Sequence, residues 1–312
     1  MEIKNEVLER LESKGVNRRD FIKYTTLVTS VLGLAPSMVP RVAQAMTAKE
    51  RPTVIWLHFA ECTGCSEALL RTTYPWIDEV VLEVLNVAYH ETIMAPSGEA
   101  AEKSLHDAMA KYKGKYILFC EGAVPTKDNG IYGKVGGRTM LEIAKAATKD
   151  ALATVCVGNC ACSGGVQAAK PNPTQAMSVE KATGVKTINI NGCPPNPINM
   201  IATVVHYLLL GKLPAVDKVG RPLFAYGSTI HDKCPRRSHY ENKEYVKKFG
   251  DEGAMKGWCL AEVGCKGPDT YNNCSLIKFN DGTNWPIGAG HPCIGCSEPG
   301  FWDEKAPFYE AL

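Results

Sequence analysis

Two pairs of cysteines stand three positions apart, in Cys62-Thr-Gly-Cys65 and in Cys293-Ile-Gly-Cys296. Two thiols at that spacing can grip one metal ion or one cluster. Each pair alone is compatible with zinc, a redox dithiol or an iron–sulfur group. His231 and Cys234 form a third such pair, with imidazole in place of one thiolate; taken alone, such a histidine is more often an ordinary surface or core residue. The 312 residues include 13 cysteines, an odd count that a pure disulfide framework cannot use up. One of them, Cys193, opens the stretch CPPNP, with three prolines in the next four residues. Each proline fixes its own φ and restrains the residue before it, so this loop is built to hold a thiolate still.

The elements that must position these groups alternate along the chain. TVIWLH (53–58), KYILFCEGAVP (115–125), ATVCVGN (153–159) and residues 187–190 read as apolar strands. Helix-like runs lie between and after them, over 67–85, over TMLEIAKAATKDA and over 198–210. Strands alternating with helices predict a flavodoxin-like parallel sheet with helices on both faces. In such sheets the functional edge lies beyond the carboxyl ends of the strands. Cys62, Cys65, Cys160 and Cys193 all follow strands directly, so three loops deliver four cysteines to one edge. After Lys212 the text becomes rich in Pro, Gly, Asn, Cys and Trp, with short helices expected over 244–250 and 253–265. A segment of about 100 residues with so little regular structure needs staples, and it has Cys234, Cys259, Cys265, Cys274, Cys293 and Cys296.

Residues 1–45 read as an address rather than a fold. Arg18 and Arg19 precede 17 residues without a charge, from Tyr24 to Pro40, and Ala43-Gln44-Ala45 supplies a small-x-small cleavage site. That order is an export signal of the twin-arginine (Tat) type. The expected organisation is therefore a leader over 1–45, a sheet domain over 46–212 and a stapled domain over 213–312. Without the leader the chain holds 28 basic and 28 acidic residues, a balance that points to neither nucleic acid nor a membrane surface. No other apolar run reaches the length of a membrane span; INMIATVVHYLLLG is 14 residues long. The Tat route carries proteins already folded around a cofactor, and thiolates bonded to metal are unavailable for disulfides.

The choice of metal follows from spacing. Zinc knuckles are compact, whereas Cys62 to Cys193 spans 132 positions. A redox dithiol leaves Cys160 and Cys193 without a task. Iron–sulfur clusters, bulkier than one ion, are gripped by ligands from distant loops. At this point several blocks resemble one family closely: ECTGCSEALLR (61–71), EGAVPTKDNGIYGKVGG (121–137), GGVQAAKPNPT (164–174), GCPPNP (192–197), KGWCLAEVGCKGP (256–268) and GHPCIGCSEPGFWD (290–303). They follow the order found in the small subunits of [NiFe] hydrogenases, through essentially all of 46–312. Single-cluster quinone-reductase subunits have a similar first domain, but lack the later cysteine blocks.

The resemblance implies ligands and partners. A proximal [4Fe-4S] cluster would sit on Cys62, Cys65, Cys160 and Cys193, and a distal [4Fe-4S] cluster on His231, Cys234, Cys259 and Cys265. A medial cluster would take Cys274, Cys293 and Cys296, and Pro286 stands where one branch of the family places a cysteine, which implies [3Fe-4S]. Cys120, Cys156 and Cys162 remain, the first two expected as buried apolar residues, and Cys162 either as an inert neighbour of Cys160 or as a residue that tunes the proximal cluster through a hydrogen bond or an oxidised state. The oxygen-tolerant branch adds cysteines where this chain has Gly64 and Gly165, so ordinary oxygen sensitivity is implied. Glu61, Glu67 and Glu121 are candidate proton carriers, with capping or ion pairing as the plainer reading. No catalytic residue is expected here, because the nickel–iron site resides in a large subunit. The chain ends at APFYEAL without an apolar anchor, and a soluble acceptor such as a c-type cytochrome is expected, in the periplasm. The rival class is an exported zinc- or disulfide-stapled binding protein.

Overall fold

The computed structural model describes residues 17–47, 51–72 and 85–310. Five strands, β1 (Thr53–His58), β2 (Asn86–His90), β3 (Tyr116–Glu121), β6 (Ala153–Val157) and β7 (Ile188–Ile190), form one sheet in the order β2-β1-β3-β6-β7. Every pair in it is parallel. A two-stranded antiparallel ribbon, β4 (Lys134–Val135) with β5 (Arg138–Thr139), stands apart. β1 and β3 are buried along their whole length, as expected where helices cover both faces of a parallel sheet. This is the flavodoxin-like order, with its switch point between β1 and β3.

The two-residue period of the strands decides the layers. Val54, Trp56, Ile117, Phe119, Val155 and Val157 pack on one side against the helix Pro197–Leu210. Ile55, Leu57, Leu118, Cys120 and Cys156 pack on the other against the helices Gly98–Lys111 and Met140–Lys149. Each fully buried Val, Leu or Ile stabilises the fold by about 1.5–3 kcal/mol. In chain order the helices used below are α1 (Arg18–Val31), α2 (Val39–Met46), α3 (Gly64–Leu70), α4 (Gly98–Lys111), α5 (Met140–Lys149), α6 (Gly158–Ser163), α7 (Val179–Thr183) and α8 (Pro197–Leu210). α5 opens with a capping box, in which Glu142 N–H donates to Thr139 Oγ1 and Thr139 N–H to Glu142 Oε2. Of the helix expected over 67–85, residues 67–70 are helical as the end of α3, and residues 73–84 lie outside the described ones.

Three expectations change. β2 and α4 occupy 86–111, where the apolar runs alone pointed to no element. Residues 244–250 are not helical: Tyr245 pairs with Cys259 in a parallel bridge, and Val246 N–H donates to the Cys259 carbonyl at 2.8 Å. Val246 is completely buried in the small second core, and pairing with the Cys259 segment takes the amide that a helix would use. Residues 18–46, read as an address only, form α1 and α2, and Tyr24, Val28, Val42 and Met46 pack into the α8 face of the first core. The uncharged run finds there the apolar surface that shields it from water, while Arg18 and Arg19 stay exposed.

The region after Gly211 contains only short helical turns and isolated bridges. Its core consists of Ile230, Val246, Leu260, Val263, Cys274, Trp285 and Ile287, with partly buried neighbours around them. It is tied to the sheet domain by polar side chains. Asn199 and Asn273 exchange two hydrogen bonds of 3.0 Å, and Asn196 donates to the Lys278 carbonyl. Within the C-terminal region itself, Arg221, 5 % exposed, binds Asp217 at 2.7 Å and Glu298 at 2.8 Å.

Candidate metal centres

Four expected ligands meet at the carboxyl edge of β1, β6 and β7. Beyond β1 the chain turns, leaves Cys62 exposed and enters α3 with Cys65 buried. Glu121, the last residue of β3, is 1 % exposed and faces that helix start. Its carboxylate accepts from Cys65 N–H at 2.9 Å, Ser66 N–H at 3.1 Å, Ser66 Oγ at 2.6 Å and Trp56 Nε1 at 3.3 Å. A carboxylate there satisfies amides that the first turn leaves unpaired and complements the helix dipole. Cys160 sits half-buried in α6, and Gln167 from the next turn reaches back to the Ala60 carbonyl at 2.8 Å. Cys193 is exposed beyond β7. Here CPPNP becomes intelligible residue by residue. Pro195 lies where any Cβ on Gly192 (φ +149°) would strike it, Asn196 caps α8 through Ile198 N–H at 3.0 Å, and Pro197 fills the first helical position.

The thiols answer to one another. Burial raises Cys65 well above the ordinary thiol range, with Glu121, Cys160, Cys162 and Cys193 adding to it. Burial likewise pushes Cys193 up to about 12, helped by Cys160, Cys296 and Cys62. Neighbouring thiolates that resist ionisation in each other's company call for positive charge among them. Two glycines keep room there: a Cβ on Gly158 would strike the Cys65 sulfur, and one on Gly165 would stand 2.5 Å from that of Cys160. Among the described residues, no three His, Cys, Asp or Glu side chains are placed to hold a single metal ion. The donor set fits a larger group with several thiolate ligands better than a lone zinc.

The remaining candidates gather in the second region. Burial raises the Cys274 thiol strongly, and its neighbours Cys296 and Cys293 add to the rise. All three line a cavity of about 380 Å³ together with Trp285, Pro286 and Ile287, and Cys193 borders it too. Cys234 has Cys265 and Cys259 as neighbours. His231, half-exposed in the turn His231–Lys233, meets the ring of Tyr240 edge-on at 4.8 Å. Two further proximities order the three sets. Cys193 has Cys296 beside it, and Cys293 has Cys265 beside it, with Lys266 N–H donating to the Cys293 carbonyl at 2.7 Å. The set around Cys193 therefore adjoins the set around Cys296, and that set adjoins the one around Cys265. None of the thirteen cysteines is joined to another by a disulfide.

Comparison with known proteins shows the family. The family described as NADH ubiquinone oxidoreductase, 20 Kd subunit, matches residues 62–207, and the family of the C-terminal part of NiFe/NiFeSe hydrogenase small subunits matches 226–309. The periplasmic [NiFe] hydrogenase small subunit 1 of Nitratidesulfovibrio vulgaris is 53% identical, over 97% of this chain and 96% of its own length. The chain belongs to the [NiFe] hydrogenase small subunits. The quinone-reactive Ni/Fe-hydrogenase small chain of Wolinella succinogenes is 50% identical, over 97% of this chain and 86% of its own. A chain of the reduced, active Ni-Fe-Se hydrogenase from Desulfomicrobium baculatum superposes with a TM-score of 0.79 at 38% identity, covering 84% of this chain and all of that one. This hydrogenase small subunit is thus the iron–sulfur, electron-transfer chain of an enzyme completed by a large subunit.

Three cysteines lie outside the expected ligand sets. Cys120 and Cys156 are fully buried strand residues, and the Cys162 thiol donates to the Cys156 carbonyl at 3.4 Å. Glu67 is exposed, while Glu121 proves to be a helix clamp. Sequence reasoning missed three residues of the hydrogenase subunit: Asn159, Arg221 and His90. An Asn next to a ligand cysteine was a visible signal; the partners of Arg221 and His90 were not.

Proposed function

We propose that this small subunit passes electrons between the nickel–iron site of its large subunit and an external acceptor, in the reversible reaction of H2 with two protons and two electrons. Cys62, Cys65, Cys160 and Cys193 would hold a proximal [4Fe-4S] cluster. Cys274, Cys293 and Cys296 would hold a medial [3Fe-4S] cluster, and His231, Cys234, Cys259 and Cys265 a distal [4Fe-4S] cluster. Such clusters supply one-electron storage at potentials tuned by their surroundings. The chain's own residues do the rest. Glu121 fixes the Cys65 turn, the apolar wall of Trp285 and Ile287 keeps water from the medial thiols, and half-exposed His231 marks the outlet. Exposed Cys62 and Cys193 mark the face toward the large subunit. Export by the Tat route to the periplasm, with Arg18 and Arg19 as the exposed signal, and a soluble acceptor such as a c-type cytochrome complete the reading. With Gly64 and Gly165 in place of added cysteines, ordinary oxygen sensitivity is expected.

The observation that carries the proposal is the linear succession of the thiol sets through Cys193–Cys296 and Cys293–Cys265. It is tested by elemental analysis of the heterodimer purified anaerobically from the periplasm. About 11 iron atoms in the small subunit are expected, with nickel accompanying the larger chain. Zinc without nickel, or iron for one cluster only, would overturn the three-cluster assignment.

A further inference from the structure

One side chain crosses the junction between the proximal and medial ligands. Asn159, beside Cys160 at the start of α6, is 1 % exposed. Its Nδ2 donates to the carbonyl of Cys296 at 2.6 Å and to that of Glu298 at 3.3 Å. Its Oδ1 accepts from Asn191 Nδ2 at 3.0 Å and from Gly192 N–H at 3.3 Å, while its own N–H donates to the Gly192 carbonyl at 2.9 Å. Both amide protons and both lone pairs are thereby used. Main-chain carbonyls on one side and a main-chain N–H on the other dictate which end of the amide is nitrogen. Its partners come from the loop before Cys193 and from the segment beginning at Cys296, and Asn159 itself is bonded to Cys160. The side-chain amides of Asn189, Asn196 and Asn199 also join the two regions, but they do not connect one ligand residue to another.

We propose that Asn159 is a positioning residue that sets the electron-transfer coupling between the proximal and medial sites. The proposal rests on the ligand assignment above. Electron tunnelling decays steeply across each gap through space and much less along covalent and hydrogen bonds. From Cys160 the route runs along the main chain into the Asn159 side chain and crosses one hydrogen bond to Cys296. In each transfer the proximal site loses one electron and the medial site gains one, with H2 as the ultimate reductant. The Asn159 amide keeps its protons and its charge. At the medial–distal junction the matching link is the main-chain bond from Lys266 to Cys293, which no side-chain substitution deletes. At the proximal–medial junction the Cys193 N–H also reaches the Cys296 thiol, so the Asn159 link runs beside a main-chain one and is the part of that coupling which a side chain tunes.

The test uses the intact heterodimer, with iron content, cluster midpoint potentials and the rate of medial-cluster reduction after rapid mixing with H2, read by freeze-quench EPR. Asn159→Ala is expected to slow that reduction several-fold with iron content and potentials unchanged. Asn159→Ser, which leaves one donor for two carbonyls, is expected between it and the wild type, and carries the test if Asn159→Ala does not assemble. Asn199→Ala loosens the same pair of regions without touching a proximal ligand and is expected to keep the wild-type rate. An unchanged rate in fully loaded Asn159→Ser, or equal slowing in Asn199→Ala, would overturn the proposal. If wild-type heterodimer shows no separate proximal and medial signals, the ligand assignment itself fails, and the proposal with it.

Discussion

Glu121 accepts four hydrogen bonds on two oxygens while nearly sealed from solvent. Glu121→Gln replaces one oxygen by a donor and leaves at least one buried N–H or O–H facing it, at a cost of about 1–3 kcal/mol. The expected outcome is a lower melting temperature together with a weakened proximal-cluster EPR signal in the anaerobically purified heterodimer. Its neighbour His90, 4 % exposed, is lowered to about 4, first by burial and then by His58. Thr92 N–H donates to His90 Nδ1 at 3.3 Å, so Nε2 carries the proton toward Ser66 Oγ at 3.5 Å, and Ser66 in turn donates to Glu121. Below the unfolded value near 6.5 the unfolded chain takes up a proton that the folded chain refuses. Stability is therefore complete above pH 6.5 and falls as pH drops toward 4, by on the order of 3 kcal/mol. Denaturant titrations across that window should show the loss in wild type, and His90→Gln should flatten it.

At the scale of elements, the turns after strands matter more than the strands. Gly158 joins β6 to α6 at φ +82°, and a side chain there would displace the Cys65 thiol. Gly184 ends α7 at φ +75° with nothing within 4 Å of a Cβ. Alanine at either position meets left-handed strain of about 1 kcal/mol. Only Gly158→Ala is expected to lose iron as well, by about one four-iron cluster, with Gly184→Ala retaining the wild-type iron content. Colorimetric iron analysis of the two purified variants checks the contrast.

Across the whole molecule, Arg221 is a buried ionic tie inside the C-terminal region, joining the segment 217–226 to the stretch that follows Cys296. It carries bonds to Asp217, Glu298 and the Ser297 carbonyl, and it lies 5.7 Å from the ring centre of Tyr226 and 5.3 Å from that of Tyr271. Removing one partner of a buried pair strands the others, so Arg221→Met is expected to destabilise by about 3–5 kcal/mol. The exposed pair Arg237–Glu241 offers the contrast, since Arg237→Met should cost about 1 kcal/mol or less. Thermal melts of both variants, with limited proteolysis after residue 211, would separate the two cases.

What the sequence determined by itself were the features encoded over a few residues. Apolar runs located β1, β3, β6 and β7, because a strand buried on both faces needs nothing else. The position of cysteines just after those strands located one edge, and CPPNP announced a rigid loop. The helical spacing of Ala101, Leu105 and Ala108 in α4 was equally legible, though a search for longer apolar runs passes over it. Edge strand β2, with two polar residues in five, offered only a weak pattern. Tertiary structure alone decided what depends on residues brought together from far apart. Those include Glu121 beneath Cys65, Asn159 against Cys296, Arg221 between Asp217 and Glu298, the extended run at 244–250 drawn into pairing with Cys259, and the α1–α2 segment laid on α8. Periodicity and turn chemistry act between near neighbours and can be read along the chain. The partners of a buried polar group are chosen only when crossovers and packing bring distant segments into contact, after burial has made every unpaired group costly.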